Sequence, residues 1–119
     1  MTSPLAPRGA LSRGAFAVVV LISLVVLFAP GRDVPPSPHG VDKLVHGGLF
    51  LALALTGSWA GMRRIVLAVV LPVYAAASEL IQTIPALQRD GSIADWVADA
   101  VGALLGLLLW AGFTRRRAR

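Results

Sequence analysis

An all-α bundle of four helices integral to a membrane, with both termini cytoplasmic, is the fold this sequence predicts. Three observations predict it. Hydrophobic residues make up 56 % of the 119 and charged ones only 14 %, well below the roughly 25 % charged of a typical soluble domain. The apolar residues fall into four stretches, each near the about 20 residues that cross a bilayer. Three of those stretches lack the polar stripe that a helix of a soluble bundle turns toward water. A chain of this length makes one domain, and a small soluble domain leaves too much surface wet to hide so many apolar residues.

The first span is expected over 14–29, where GAFAVVVLISLVVLFA stops at Pro30-Gly31. Arg8 and Arg13 ahead of it look like the basic start of a signal peptide, but Leu27 and Ala29 around Phe28 make a poor small-x-small cleavage site. An uncleaved helix behind a cytoplasmic tail, 1–13, is therefore expected. The stretch 32–43, with Pro35, Pro36 and Pro38, reads as an ordered extended loop. The second and third spans, 44–60 and 65–84, are separated only by Gly61-Met62-Arg63-Arg64, so they should form an antiparallel hairpin. Pro72 should bend the third. The fourth span is expected over 93–113, ahead of a basic cytoplasmic tail at 114–119. Trp59 and Trp110 near the inner ends, and Trp96 near the outer end, fit interfacial anchoring. Tyr74, in mid-span, reads as packing.

Orientation follows from the short connections. One side carries Arg8, Arg13, Arg63, Arg64, Arg115, Arg116, Arg117 and Arg119; the other carries Arg32, Lys43 and Arg89. Cytoplasmic loops are the basic ones, which places both termini inside. The net charge of +5 therefore belongs to topology and anionic lipid. No basic stripe interleaved with aromatic residues supports a nucleic-acid partner. With no cysteine, disulfides and thiolate metal ligands are excluded, and the redox compartment is left open.

On this topology all six acids lie in the outer half: Asp33, Asp42, Glu79, Asp90, Asp95 and Asp99. His39 and His46 lie there too, with His39 expected to be solvent-exposed in its loop. The basic side has no acid, an asymmetry that orientation alone does not require. At 1.5 Å per residue, Glu79 is about 7–8 Å and Asp99 about 9 Å below the outer ends of their spans. Ionisable groups at such depth face a bundle interior or a wet cavity. Asp42 and His46 are four residues apart, Glu79 and Gln82 three, and Asp95 and Asp99 four, so each pair shares a helix face. Gly102 and Gly106 continue the face of Asp95 and Asp99 and let another helix approach closely. Gly47 and Gly48 are expected to act similarly beside His46.

These residues also carry a resemblance. Asp42-Lys43-Leu44-Val45-His46 with Phe50 resembles the D-K-x-x-H…F signature of the VanZ-like family. Glu79-Leu80-Ile81-Gln82, followed by Pro85 and Arg89, resembles its E-x-x-Q element. Ser92-Ile93-Ala94-Asp95 with Gly102 and Gly106 resembles its S-x-x-D-x-x-x-N-x-x-G-x-x-x-G segment, except that Asp99 stands where that family usually has Asn. The resemblance runs from Asp42 to Gly106. It implies a multi-pass protein of the bacterial inner membrane, in a family named for an accessory factor in resistance to a glycopeptide antibiotic that acts on cell-wall precursors. Most members lie outside resistance clusters, so that role is not carried over.

Three readings of the polar residues stay open. In the first they are structural, although hydrogen bonds between membrane helices average only about 0.6 kcal/mol, thin motivation for so many costly groups. In the second, Asp42, Lys43, His46, Glu79, Gln82, Arg89, Asp95 and Asp99 bind a ligand of the cell envelope, such as a lipid-linked cell-wall precursor. Lys43 and Arg89 would then take its phosphate or carboxylate. In the third, His46, Glu79 and Asp95 are catalytic in a hydrolase or transferase on such a lipid, with carboxylates able to hold a divalent metal in oxygen-rich coordination. No nucleophile motif, H-E-x-x-H or phosphate-binding glycine loop supports the third. No cofactor and no resident metal are assigned from sequence. Membrane lipid is the expected surrounding partner.

Overall fold

The computed structural model describes residues 8–28, 41–82 and 93–117, which form four α-helices. They are α1 (Ala10–Phe28), α2 (Val41–Trp59), α3 (Arg64–Gln82) and α4 (Ile93–Arg117). The expected loops at 32–43 and 85–92 fall mostly or wholly outside the described residues, and with them His39, Pro85, Arg89 and Ser92. Three helix bounds differ from the expectation for one reason. Apolarity marks where lipid can be, whereas a helix continues wherever its backbone hydrogen bonds do. So α2 begins before Asp42-Lys43, α1 begins before Arg13, and α4 runs on through Arg115 and Arg116. Arginine is a good helix former, and its charge favours a helix C-terminus.

The expected hairpin between α2 and α3 is present and has a defined cap. Gly61 sits at φ +97°, where only glycine is free of Cβ strain. The amide of Met62 donates to the Gly57 carbonyl and that of Gly61 to Ser58, both at 3.0 Å, closing a Schellman motif. The N-terminal segment docks on this turn. Arg8 N donates to the Trp59 carbonyl at 3.1 Å, adding a cation where the helix dipole favours one.

Contacts fix the directions. Ser23 Oγ in α1 lies 2.8 Å from Tyr74 Oη in α3. Because Ser23 already donates to the Val20 carbonyl at 2.7 Å, the tyrosine is the donor. Tyr74 also packs on Phe28 and Phe50, in keeping with a packing role. A Cβ on Gly57 of α2 would meet Leu67 of α3 and Phe16 of α1. So α1 and α3 run one way, and α2 and α4 the other. Helix α2 packs most extensively on α4 and touches α1 and α3 as well.

The interior is small: Leu27, Phe50, Leu53, Ala54, Leu67, Leu71, Ala75, Ala103 and Leu107. The surface is the apolar part. Leu21, Val25, Leu44, Ile65, Val73, Leu80 and Ile93 are 61–81 % exposed, a pattern that water would not tolerate over so many residues. Buried Ser23 and Ser78 bond to carbonyls of their own helices and Ser12 to that of Gly9 just ahead of α1, which satisfies a hydroxyl without solvent. Helices α1, α3 and α4 are long and apolar enough to cross a membrane. Helix α2, expected as a fourth span, is not among them. Its first two turns carry Asp42, Lys43 and His46, which lower its mean hydropathy.

Candidate functional site

The approach of α2 to α4 builds the site. A Cβ on Gly102 would collide with the Gly47 backbone, and one on Gly106 would fall 2.6 Å from Ala54 Cβ and 2.7 Å from the Leu51 carbonyl oxygen. The two backbones can meet only because both positions lack side chains. Gly47 is part of this seam, since its Cβ would lie 3.4 Å from the Ala98 carbonyl; Gly48, also expected to pack, meets nothing within 4 Å. The helices run in the same direction, so their N-terminal ends lie side by side and residues three and four apart pair off in layers.

The outer layer is Lys43 of α2 with Asp95 of α4, Nζ to Oδ1 at 3.5 Å. The lysine side chain is 45 % exposed and that of the aspartate 9 %. One turn deeper, His46 Nδ1 lies 3.1 Å from Asp99 Oδ1, with the imidazole 1 % and the carboxylate residue 0 % exposed. Helix α3 supplies Glu79, 8 % exposed. Ligand-type atoms of His46, Glu79 and Asp99 all lie within 4.8 Å of one another. Three helices thus deliver an imidazole and two carboxylates to one buried point, behind a half-exposed ion pair.

This arrangement sorts the expected residues. His46 and Glu79 converge as anticipated, but the acid that meets them is Asp99 and not Asp95, which is held by Lys43 on the rim. Asp42 and Gln82 lie in α2 and α3, their side chains outside the described residues, and Arg89 lies outside them altogether. Trp96, expected as an interfacial anchor, donates its indole N–H to the Pro72 carbonyl at 3.2 Å, tying α4 to α3. At the far end, a groove of about 360 Å³ is lined by Leu55, Thr56, Trp59, Leu109, Trp110 and Phe113. It is apolar and belongs to the basic end, away from the charged layers. Among the described residues every acid, Glu79, Asp95 and Asp99, lies at the other end.

Chemically, the outer layer offers one accessible ammonium for an anion. The inner layer can hold a proton between imidazole and carboxylate, or donate nitrogen and oxygen to a cation. A carboxylate on Nδ1 also fixes the imidazole's orientation. Comparison of the chain with family models, curated proteins and solved structures returns no match.

Proposed function

We propose that this chain is a VanZ-like integral protein of the bacterial cytoplasmic membrane whose outer-face polar site binds a lipid-linked ligand of the cell envelope. All four helices would lie in the bilayer with both termini in the cytoplasm, an orientation the arginines of the Arg8, Arg63-Arg64 and Arg115-Arg116 end favour. The observation that carries the reading is the layered cluster: Lys43 half exposed at the rim, over charged groups from three helices that would be costly in lipid without a task. A lipid-linked ligand suits that geometry, because its chain can lie on the apolar helix faces while its phosphate reaches Lys43 from the interface. The motifs quoted above, from Asp42 to Gly106, support the same assignment.

The test is binding of a polyprenyl-phosphate-linked sugar to the purified chain in nanodiscs. Wild type should retain it, while Lys43→Met and Asp95→Asn lose it at unchanged abundance and melting temperature. If every loss of binding tracks loss of folded protein, the cluster is structural. A second reading has one observation in its favour. His46, oriented by Asp99 at 3.1 Å, has the geometry of a general base, which fits a hydrolase or transferase on the same lipid. Turnover of that lipid by wild type and its loss in His46→Gln, with binding retained, would establish it.

A further inference from the structure

We infer that His46, Glu79 and Asp99 form a site for one divalent transition-metal ion of the zinc or manganese type. Their candidate ligand atoms come from α2, α3 and α4 and lie within 4.8 Å of one another, all three residues buried. Two ligands about 2.1 Å from one ion stand about 3.0–3.4 Å apart at octahedral or tetrahedral angles. The His46 Nδ1 to Asp99 Oδ1 distance of 3.1 Å falls in that range. The third donor, within 4.8 Å of the other two, would close to about 3.0–3.4 Å of at least one of them on binding the ion. Helix geometry holds the donors there: the Gly47–Gly102 seam fixes the depth of His46 against Asp99.

Charge points the same way. A dication on the trio brings two buried carboxylates and a neutral imidazole to zero net charge, the balance a low-dielectric site favours. The donor set selects the class of ion. Calcium seeks six to eight oxygens and magnesium keeps its waters, whereas imidazole with carboxylate suits zinc, manganese or iron(II). Copper(I) and iron–sulfur chemistry favour sulfur donors, and this trio has none. Three protein donors leave a coordination position open, and a phosphate oxygen of the headgroup proposed above would take it. That last step alone rests on the lipid reading; metal binding does not.

The experiment uses the untagged full-length chain in detergent, stripped with chelator and titrated with Zn²⁺ and separately with Mn²⁺. One equivalent should bind and raise the melting temperature. Glu79→Gln and Asp99→Asn, which keep shape and remove charge, should weaken binding by more than the roughly 10- to 100-fold that loss of an outer-shell partner costs. Lys43→Met should leave it intact. Should either carboxylate variant fail to fold, pulsed electron paramagnetic resonance of Mn²⁺ on wild type decides, since ligation by His46 imposes a ¹⁴N coupling. No uptake, uptake without that coupling, or equal uptake by folded Glu79→Gln and Asp99→Asn overturns the site. Metal bound without any lipid-phosphate binding would overturn the proposed function and leave the metal site standing.

Discussion

Asp99 lies sealed against His46, with Nδ1 to Oδ1 at 3.1 Å. Asp95, one turn away on the same face of α4, is held by Lys43 at the rim. The depth at which α4 seats on α2 decides which acid meets His46, and the Gly47–Gly102 contact, one residue from His46 and three from Asp99, sets that depth. The outcome is a division of labour between two pairs of similar composition. Lys43–Asp95 is half exposed at the lysine, and exposed ion pairs contribute about 0–1 kcal/mol. His46–Asp99 is sealed at both partners. A double-mutant cycle of His46→Ala and Asp99→Ala should therefore return a coupling of about 1–3 kcal/mol, above the about 0.6 kcal/mol average for hydrogen bonds between membrane helices. Reversible unfolding in mixed micelles measures it. A coupling at or below that average would mean the inner pair holds together no better than an ordinary polar contact.

At the scale of elements, the helices were legible because apolar runs and Pro or Gly punctuation coincide with them. Their ends were less so, because Asp42-Lys43 and Arg115-Arg116 look like loop and are helix. The partnership of α2 with α4 was only half legible. Gly102 and Gly106 announce close approach by their spacing, but a stripe of small residues does not name its partner. That partner is Gly47, Leu51 and Ala54. The glycines accordingly form an ordered series of expected effects. Gly102→Ala drives a methyl into the Gly47 backbone, which has no rotamer to move away, and should cost about 1–3 kcal/mol as overpacking does. Gly106→Ala should cost less, since its closest approaches, 2.6 Å to Ala54 Cβ and 2.7 Å to the Leu51 carbonyl oxygen, are wider than the closest one at Gly102. Gly48→Ala, with open space around it, should stabilise by about 0.5–1 kcal/mol through helix propensity alone. Thermal unfolding of the three variants tests the order. Because the same seam sets the His46–Asp99 depth, Gly102→Ala should also weaken metal uptake, whereas Gly48→Ala should not.

Across the whole molecule, polarity is inverted relative to a soluble bundle. Serines, an imidazole and carboxylates are inside, while leucines, valines and isoleucines cover the outside. Charge is sorted along the long axis as well, with Arg8, Arg13, Arg63, Arg64, Arg115 and Arg116 at one end and Glu79, Asp95 and Asp99 at the other. Arginine at membrane-facing loops follows the cytoplasm, so the acid end, and the site within it, should face outward. The absence of native cysteine makes this directly measurable. Ile93, 81 % exposed at the start of α4, and Arg115, exposed in its last turn, can each be replaced by a single cysteine and treated with a membrane-impermeant maleimide. Ile93→Cys should label from the outside in spheroplasts, and Arg115→Cys only after lysis. The opposite pattern would put the Lys43–Asp95 rim in the cytoplasm. No cell-wall precursor on the outer leaflet could then reach it, and the envelope ligand would have to be abandoned. The bundle, its glycine seam and the buried His46–Glu79–Asp99 trio do not depend on which way the chain is inserted, so the metal titration would retain its meaning in either orientation.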